Sequence, residues 1–334
     1  MMHSEQDMIR MICSAIPSGP DRANRLYESD AETVYRNGEF LLFSMDDFSP
    51  EDLFLTHDPF ILGWNCTAGT LSDIAAAGGI PLWYMHSMTV PGSWPEEYIK
   101  MFSQGIASAL HKAGASFLGG DFSRGPIWHY TGSAAGTSET SPLMRTGAQQ
   151  GDRIYITGPA GDGNVQAALS LMQDSNHISK VSVPKFRIRM SEGRLLKTFA
   201  SSCIDTSDGL FSGLNTVADI NNTGYSIESV PYSEQCRETA QALSLPTDIF
   251  FFGECGEYEL LCTVPPEREK EMLVQARANS LEFLKIGAVA DPDTRILLTD
   301  GKKIDLQNFS IHARDYDNIH EYTDKLCSLL KGKV

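Results

Sequence analysis

The sequence predicts an α/β protein, mixing α/β and α+β character, in two domains. Three observations carry this expectation. The chain has 334 residues, long enough for two hydrophobic cores. Short β-branched or aromatic runs alternate with stretches whose apolar residues recur at 3 and 4 spacing. Between two such alternations, residues 137–152 collect Ser, Thr, Pro, Gly and Gln, the composition of a connecting segment. The expected domains are 1–145 and 146–334.

The bulk numbers narrow the function classes. Hydrophobic residues make up 42% of the chain, which is globular rather than disordered composition. The formal charge is -16, which excludes non-specific nucleic-acid binding. An anionic substrate then needs metal ions or local basic residues. Seven cysteines include no CxxC pair. Cys13, Cys66, Cys203, Cys255 and Cys262 lie in or beside apolar runs, as reduced thiols of a cytoplasmic protein do. Residues 1–16 form an amphipathic helix pattern with acidic residues, not a signal peptide. No apolar run approaches membrane-spanning length.

In chain order, Met8, Ile9, Met11, Ile12 and Ile16 line the first helix, stopped by Pro17-Ser18-Gly19-Pro20. Asp30 follows in a polar stretch that reads as a surface turn. Residues 40–44 form a strand that ends in Met45-Asp46-Asp47, placing two carboxylates at a strand's C-terminal edge. Residues 60–78 are helical, with Ile61, Trp64, Ala68, Leu71 and Ile74 on one stripe. Asp73 sits among its small residues, where a carboxylate must meet solvent or a metal. A strand at 81–90 and a helix at 95–113 follow. Residues 115–118 then run into Gly119-Gly120-Asp121-Phe122-Ser123-Arg124-Gly125. The glycines admit a ligand to the backbone, Asp121 offers a metal ligand, and Arg124 a fork for phosphate. Alone, this Gly-Gly-Asp is a turn more often than a site.

A strand at 129–136 completes the first half. The second half opens with a strand at 153–157. Gly158-Pro159-Ala160-Gly161-Asp162-Gly163 then leads into a helix at 164–172. It lacks the Lys-Ser/Thr of a Walker loop and reads as a turn. Residues 173–190 read as a solvated polar face. Strands at 225–227, 284–289 and 295–298, a helix at 239–245 and a surface helix at 319–330 follow. Between them, residues 253–261 carry a turn into a further strand.

The stretch Cys203-Ile204-Asp205-Thr206-Ser207-Asp208-Gly209-Leu210 organises the rest. A strand end, a tight turn and a helix start place Asp205, Ser207 and Asp208 where free N–H groups and the helix dipole gather anions. In isolation this is an N-cap. With Asp46, Asp73 and Asp121 on other loops, the set suits Mg²⁺ carrying phosphates.

In their order, Leu71-Ser72-Asp73-Ile74-Ala75-Ala76-Ala77-Gly78-Gly79, Leu118-Gly119-Gly120-Asp121-Phe122-Ser123-Arg124-Gly125 and Ile204-Asp205-Thr206-Ser207-Asp208-Gly209-Leu210 resemble the thiamine-monophosphate kinase family. That family lies within the superfamily related to aminoimidazole ribonucleotide synthetase (AIR synthase), and the resemblance runs from about residue 28 to 318. It implies an AIR-synthase-like fold in which N-terminal sheets of two subunits pair into a dimeric β-barrel. It also implies ATP as co-substrate, several Mg²⁺, and transfer of the γ-phosphoryl to the phosphate of thiamine monophosphate. By position, Asp30, Ser44, Asp46, Asp73, Asp121, Asp205 and Asp208 match metal ligands; Gly120, Asp121, Arg145 and Ser207 match nucleotide contacts. Asp46, Asp121 and Asp208 are the expected catalytic carboxylates.

The acceptor side departs from the family. Ser29 replaces one carboxylate, Leu53 stands where the family has histidine, and Gly256 where it has glutamate. His57, Glu257 and Tyr258 are the expected substitutes, and Phe309 and Tyr316 the nearest candidates for the aromatic that covers the thiamine ring. The resemblance therefore implies a phosphotransferase with an altered acceptor site. Two alternatives remain: an AIR-synthase-related enzyme activating another acceptor, and a nucleotide-binding regulatory protein without turnover.

Overall fold

A computed structural model describes residues 5–52, 56, 58–299, 301–316 and 318–331. In chain order the elements are α1 (Glu5–Ala15), β1 (Glu32–Arg36), β2 (Glu39–Phe48), α2 (Pro59–Ala76), β3 (Ile80–Pro91), α3 (Glu96–Ala113), β4 (Ser116–Gly125) and β5 (His129–Ser138). Then come β6 (Arg153–Ile156), α4 (Asp162–Leu171), α5 (Ser175–Ile178), α6 (Met190–Phe199), β7 (Ser202–Asp205), α7 (Gly209–Asn221), β8 (Gly224–Ile227), α8 (Glu234–Ala242) and β9 (Leu260–Val264). The chain closes with α9 (Pro266–Ala278), β10 (Leu284–Ala290), β11 (Arg295–Thr299), β12 (Lys302–Asp305) and α10 (Ile319–Leu330).

The strands form two sheets. The first has order β1-β2-β5-β3-β4 and the second β12-β11-β8-β10-β6-β9-β7. This is the mixed α/β class the alternation predicts. Residues 139–152 join the two sheets without regular structure.

One face of the first sheet is covered by α2 and α3. Phe48, Tyr130 and Met88 share a register row and are buried there, and Phe102 of α3 meets Tyr130 edge-on at 5.3 Å. The opposite face exposes Phe43, Met45, Trp83, Met85 and Leu118. The two sheets meet through α2. Trp64 Nε1 donates to Phe186 O at 2.7 Å, and Asn65 Nδ2 to Pro184 O at 2.9 Å. Gly193 of α6 sits so close that a Cβ there would lie 1.9 Å from Ala75 O.

Several expectations shift. Strand β2 continues through Asp46 and Asp47, so these lie inside a strand rather than at its end. Strand β4 likewise includes Gly119, Gly120 and Asp121, because both flanks of the motif keep pairing with β3 across a bulge. The stretch after Asp30 is strand β1, not only a turn. Helix α10 lies at the surface with one face packed: Tyr322, Leu326 and Leu330 are buried against the second sheet's core, while His320, Glu321, Asp324 and Lys325 are exposed. Helix α8 begins five residues before the expected position, where Ser233 caps it by accepting from Cys236 N–H.

Candidate active site

Asp30, Asp73 and Asp205 converge from three elements. Each offers a carboxylate oxygen, and these oxygens lie within 4.8 Å of one another. Asp30 comes from the turn before β1, Asp73 from the last turns of α2, and Asp205 from the end of β7. Their grouping follows from packing. Helix α2 is apolar nearly all round, so it is buried between the sheets and carries Asp73 inward with it. The backbone N–H of Asp205 donates to Asp30 Oδ2 at 3.2 Å, tying the two loops together.

The neighbours hold these carboxylates in place. Arg145 binds Asp30 through Nε at 2.6 Å and through Nη2. Ser207 Oγ donates to Asp205 Oδ1 at 2.9 Å, and Ser72 Oγ to Asp205 Oδ2. Ser44, buried on β2, commits its hydroxyl proton to Thr70 O, one turn before Asp73. Arg145 itself is positioned by its N–H on Glu28 O at 2.8 Å and by Asn221 Nδ2 on its carbonyl at 2.9 Å.

The electrostatics are those of crowded acids. Burial pushes the Asp30 carboxyl up to about 7, against the pull of Arg145 and with help from Asp205. Burial also pushes Asp46 up to about 7, helped by the fields of Asp205, Asp30, Asp208 and Asp52. Asp73 is raised well above the carboxylate range by burial, then by Asp46, Asp205 and Asp30. Asp30, Asp73 and Asp205 thus share the field of one cation, Arg145. Without further positive charge Asp30, Asp46 and Asp73 hold protons more tightly than free carboxyls. The donor set is all oxygen, as Mg²⁺ requires, and it fits a divalent cation that would replace those protons.

Asp208 stands at the cap position of α7, but its side chain does not cap. Its field reaches Asp46. The turn there depends on Gly209, at φ +85°, where a Cβ would meet Gly253 O at 2.3 Å.

Asp121 is not brought to this cluster. The register sets Asp46, Gly132, His86 and Gly120 in one row across β2, β5, β3 and β4, on the face that packs on the helices. The next row is Asp47, Thr131, Ser87 and Asp121, on the opposite face. Asp121 therefore lies three strands from Asp46, roughly 14 Å at the usual strand spacing, and on the other side of the sheet. Asp121, Gly120 and Arg124 are exposed on edge strand β4. Within one chain Asp121 cannot share a metal with Asp46, which corrects the expectation of one joint cluster. Pleat parity across a bulged strand decides this.

The acceptor-side expectations meet different surroundings. His57 and Leu53 lie outside the described residues. Glu257 accepts from Gly161 N–H at 2.9 Å and Gly163 N–H at 2.8 Å, so it occupies the anion position at the start of α4. Burial lifts its carboxyl to about 8. Tyr258 is buried against Phe186, ring centroids 4.9 Å apart. Glu257 is engaged by backbone N–H groups, whereas Tyr258 is buried within the fields of Asp46, Asp205 and Asp52. A Cβ at Gly256 would lie 1.4 Å from Thr206 O, so the backbone itself excludes a side chain there. Phe309 is stacked on Phe252 at 4.8 Å. Tyr316 lies 5.9 Å from Tyr322.

Two residues join the site beyond the expected set. Ser72 orients Asp205; its signal is a hydroxyl directly before Asp73. Asp52 accepts from Ser49 N–H at 2.6 Å and adds to the field on Asp46; an acidic loop after Asp46-Asp47 is its only trace in the sequence.

Known proteins are similar to this chain in sequence and fold. Residues 28–138 match the family described as AIR synthase related protein, N-terminal domain. The thiamine-monophosphate kinase of Salmonella typhimurium is 30% identical over 261 residues, covering 74% of this chain and 78% of that protein. The Escherichia coli enzyme of the same name is 29% identical over 260 residues, with 75% and 78% covered. Among solved structures, AaThiL complexed with AMPPCP and TMP superposes with a TM-score of 0.76 at 22% identity, covering 91% of this chain and 97% of that one. HypE, a hydrogenase maturation protein of E. coli, has the same fold, with a TM-score of 0.68, 19% identity, and 90% and 96% covered. The chain belongs to the thiamine-monophosphate kinase family.

Proposed function

We propose that this protein phosphorylates thiamine monophosphate, using ATP with Mg²⁺ and forming thiamine diphosphate. The carrying observation is the convergence of Asp30, Asp73 and Asp205, with Asp46 and Asp208 beside them. The kinases named above supply the reaction, and the neighbour bound to AMPPCP and TMP supplies the ligand classes. Asp30, Asp46, Asp73 and Asp205 would hold the ions, with Ser44 and Asp208 at their margin. Bound Mg²⁺ supplies charge neutralisation of the phosphates. The protein's share is positioning: Arg145 fixes Asp30, while Ser72 and Ser207 fix Asp205. Little covalent chemistry is left to side chains in phosphoryl transfer. The test is formation of thiamine diphosphate from ATP and thiamine monophosphate, with and without Mg²⁺. No product with Mg²⁺ present refutes the reading.

We further propose a homodimer in the cytoplasm, with the division into domains 1–145 and 146–334. The apolar outer face of the first sheet and the unpaired edge of β4 support an association through that sheet. Seven free cysteines suit a reducing compartment. No helix among the described residues is long and apolar enough to cross a membrane. In a dimer, Gly120 and Asp121 complete the partner's nucleotide site rather than their own. Sedimentation as a monomer at micromolar concentration would defeat this.

Gly256 favours a second reading, in which the same machinery serves a different acceptor. The family's glutamate has no room at this position, and Glu257 is engaged inside the protein. ATP turnover with another phosphorylated or carbonyl-bearing acceptor, and none with thiamine monophosphate, would establish it.

A further inference from the structure

A second concave region lies where α6 meets the end of β5. Its volume is about 460 Å³, and its polar lining comprises Thr137, Ser138, Thr140, Arg194, Lys197 and Thr198, with Glu139. That volume is in the range of small-molecule sites.

The charges here run against the rest of the molecule. The chain carries 43 acidic and 27 basic side chains. Arg194 and Lys197 are nevertheless neighbours on one face of α6, three residues apart, where like charges repel. Among the described residues neither forms an ion pair; Arg194 reaches only Ser191 Oγ at 3.4 Å, and Lys197 Nζ donates to buried Ser138 Oγ. An ammonium has three donors and a guanidinium five, so most of theirs are uncommitted. Burial lowers the Lys197 pKa, and the field of Glu139 opposes this. A helix C-terminus accounts for a cation in the last turn, which covers Lys197 but not Arg194 in mid-helix. Arg268, whose Nη1 points to Thr198 O at 3.5 Å, adds a third positive charge at the margin.

We propose that this cleft binds a phosphoryl group, separately from the carboxylate site. A tetrahedral dianion uses donors arriving from several directions, and a guanidinium fork, an ammonium and hydroxyls around one concavity provide them. The cleft also has a route to the kinase site. Helix α6 is in backbone contact with α2 at Ala75, two residues from Asp73. An occupied cleft would therefore hold α6 against the helix that carries a metal ligand.

Titration calorimetry in EDTA isolates the cleft, because without metal the carboxylate cluster offers a phosphate only Arg145, which Asp30 already holds. The probes are inorganic phosphate and ribose 5-phosphate, which separate free phosphate from a phosphomonoester. Binding of either is expected. Arg194→Ala with Lys197→Met should weaken it at least about tenfold, a change of about 1.4 kcal/mol. Thr140→Glu, an exposed position, should do the same by charge without touching α6. Binding of ATP with Mg²⁺ should stay within about twofold in both. No heat with either probe, or undiminished binding in both variants, overturns the proposal.

Discussion

Two acidic, glycine-containing turns meet at the centre of this molecule and use their carboxylates in opposite ways. In the turn after β7, Asp205 is held by hydroxyls and stands against Asp30 and Asp73. In the turn before β9, Glu257 takes the N–H groups of Gly161 and Gly163, and Glu259 is bound by Arg189 through Nε and Nη2, both at 2.6 Å. The turns touch, since Gly256 N–H donates to Ser207 O at 3.0 Å. The difference lies in the partners. Carboxylates matched by internal donors build the fold, and carboxylates matched mainly by each other demand a cation from outside.

The largest test of that contrast is the pH dependence of stability without metal. Asp30 and Asp46 titrate near 7 in the folded state, above the ordinary value of 3.8. The native protein therefore binds more protons than the unfolded chain between these values, and stability falls as pH rises through that window. In EDTA the melting temperature should drop from pH 4.5 to 7.5, by the equivalent of several kcal/mol. Saturating Mg²⁺ should flatten the slope. A flat profile in EDTA would show that the carboxylates are not crowded.

Glu259→Ala probes the other turn. It leaves Arg189 buried with only Glu192 to offset it, at 2.8 Å. Urea unfolding should report a loss of about 3–5 kcal/mol, independent of Mg²⁺. A variant that is no less stable in EDTA and loses stability only when Mg²⁺ is present would place Glu259 with the metal ligands instead.

Asp73→Asn should act in the reverse sense on stability. It removes the cost of keeping a buried carboxyl protonated at neutral pH, so the protein in EDTA should melt higher there, while binding of ATP with Mg²⁺ weakens at least about tenfold. Unchanged nucleotide binding would remove Asp73 from the site. The smallest effect is expected for Ser72→Ala. It deletes one hydrogen bond to Asp205, worth about 0.5–1.5 kcal/mol, and should weaken Mg²⁺-dependent binding without altering the EDTA melting curve much.

Asp73 and Asp205 are legible in the sequence because several acidic motifs among small residues and at strand ends together suit a metal site, whereas Asp30 reads locally as a surface turn and enters only through the family resemblance. Long helices and strands with clean periodicity, such as α2 and α3, are legible from that periodicity. Helix α9 is harder, since only Met272 and Ala276 are buried among charged residues. Helix α6 is masked by Arg189 and Glu192, polar residues that pair in the interior. The side of the sheet on which Asp121 falls depends on counting through a bulge near Leu118, which no local pattern reveals. The fate of Glu257 depends on Gly161 and Gly163, nearly a hundred residues away.

The opposite-face placement of Asp46 and Asp121 has a genetic consequence. If each active centre of the proposed dimer draws its cluster from one subunit and Asp121 from the other, two defective alleles can complement. Asp73→Asn and Asp121→Asn homodimers would both be inactive. A mixed dimer would gather both lesions into one centre and leave the other intact. Co-expression or subunit exchange should then restore roughly a quarter of wild-type activity, as expected for random pairing into two-fold dimers. Absence of any recovery would mean that the two aspartates serve the same centre from one chain, or do not serve it at all.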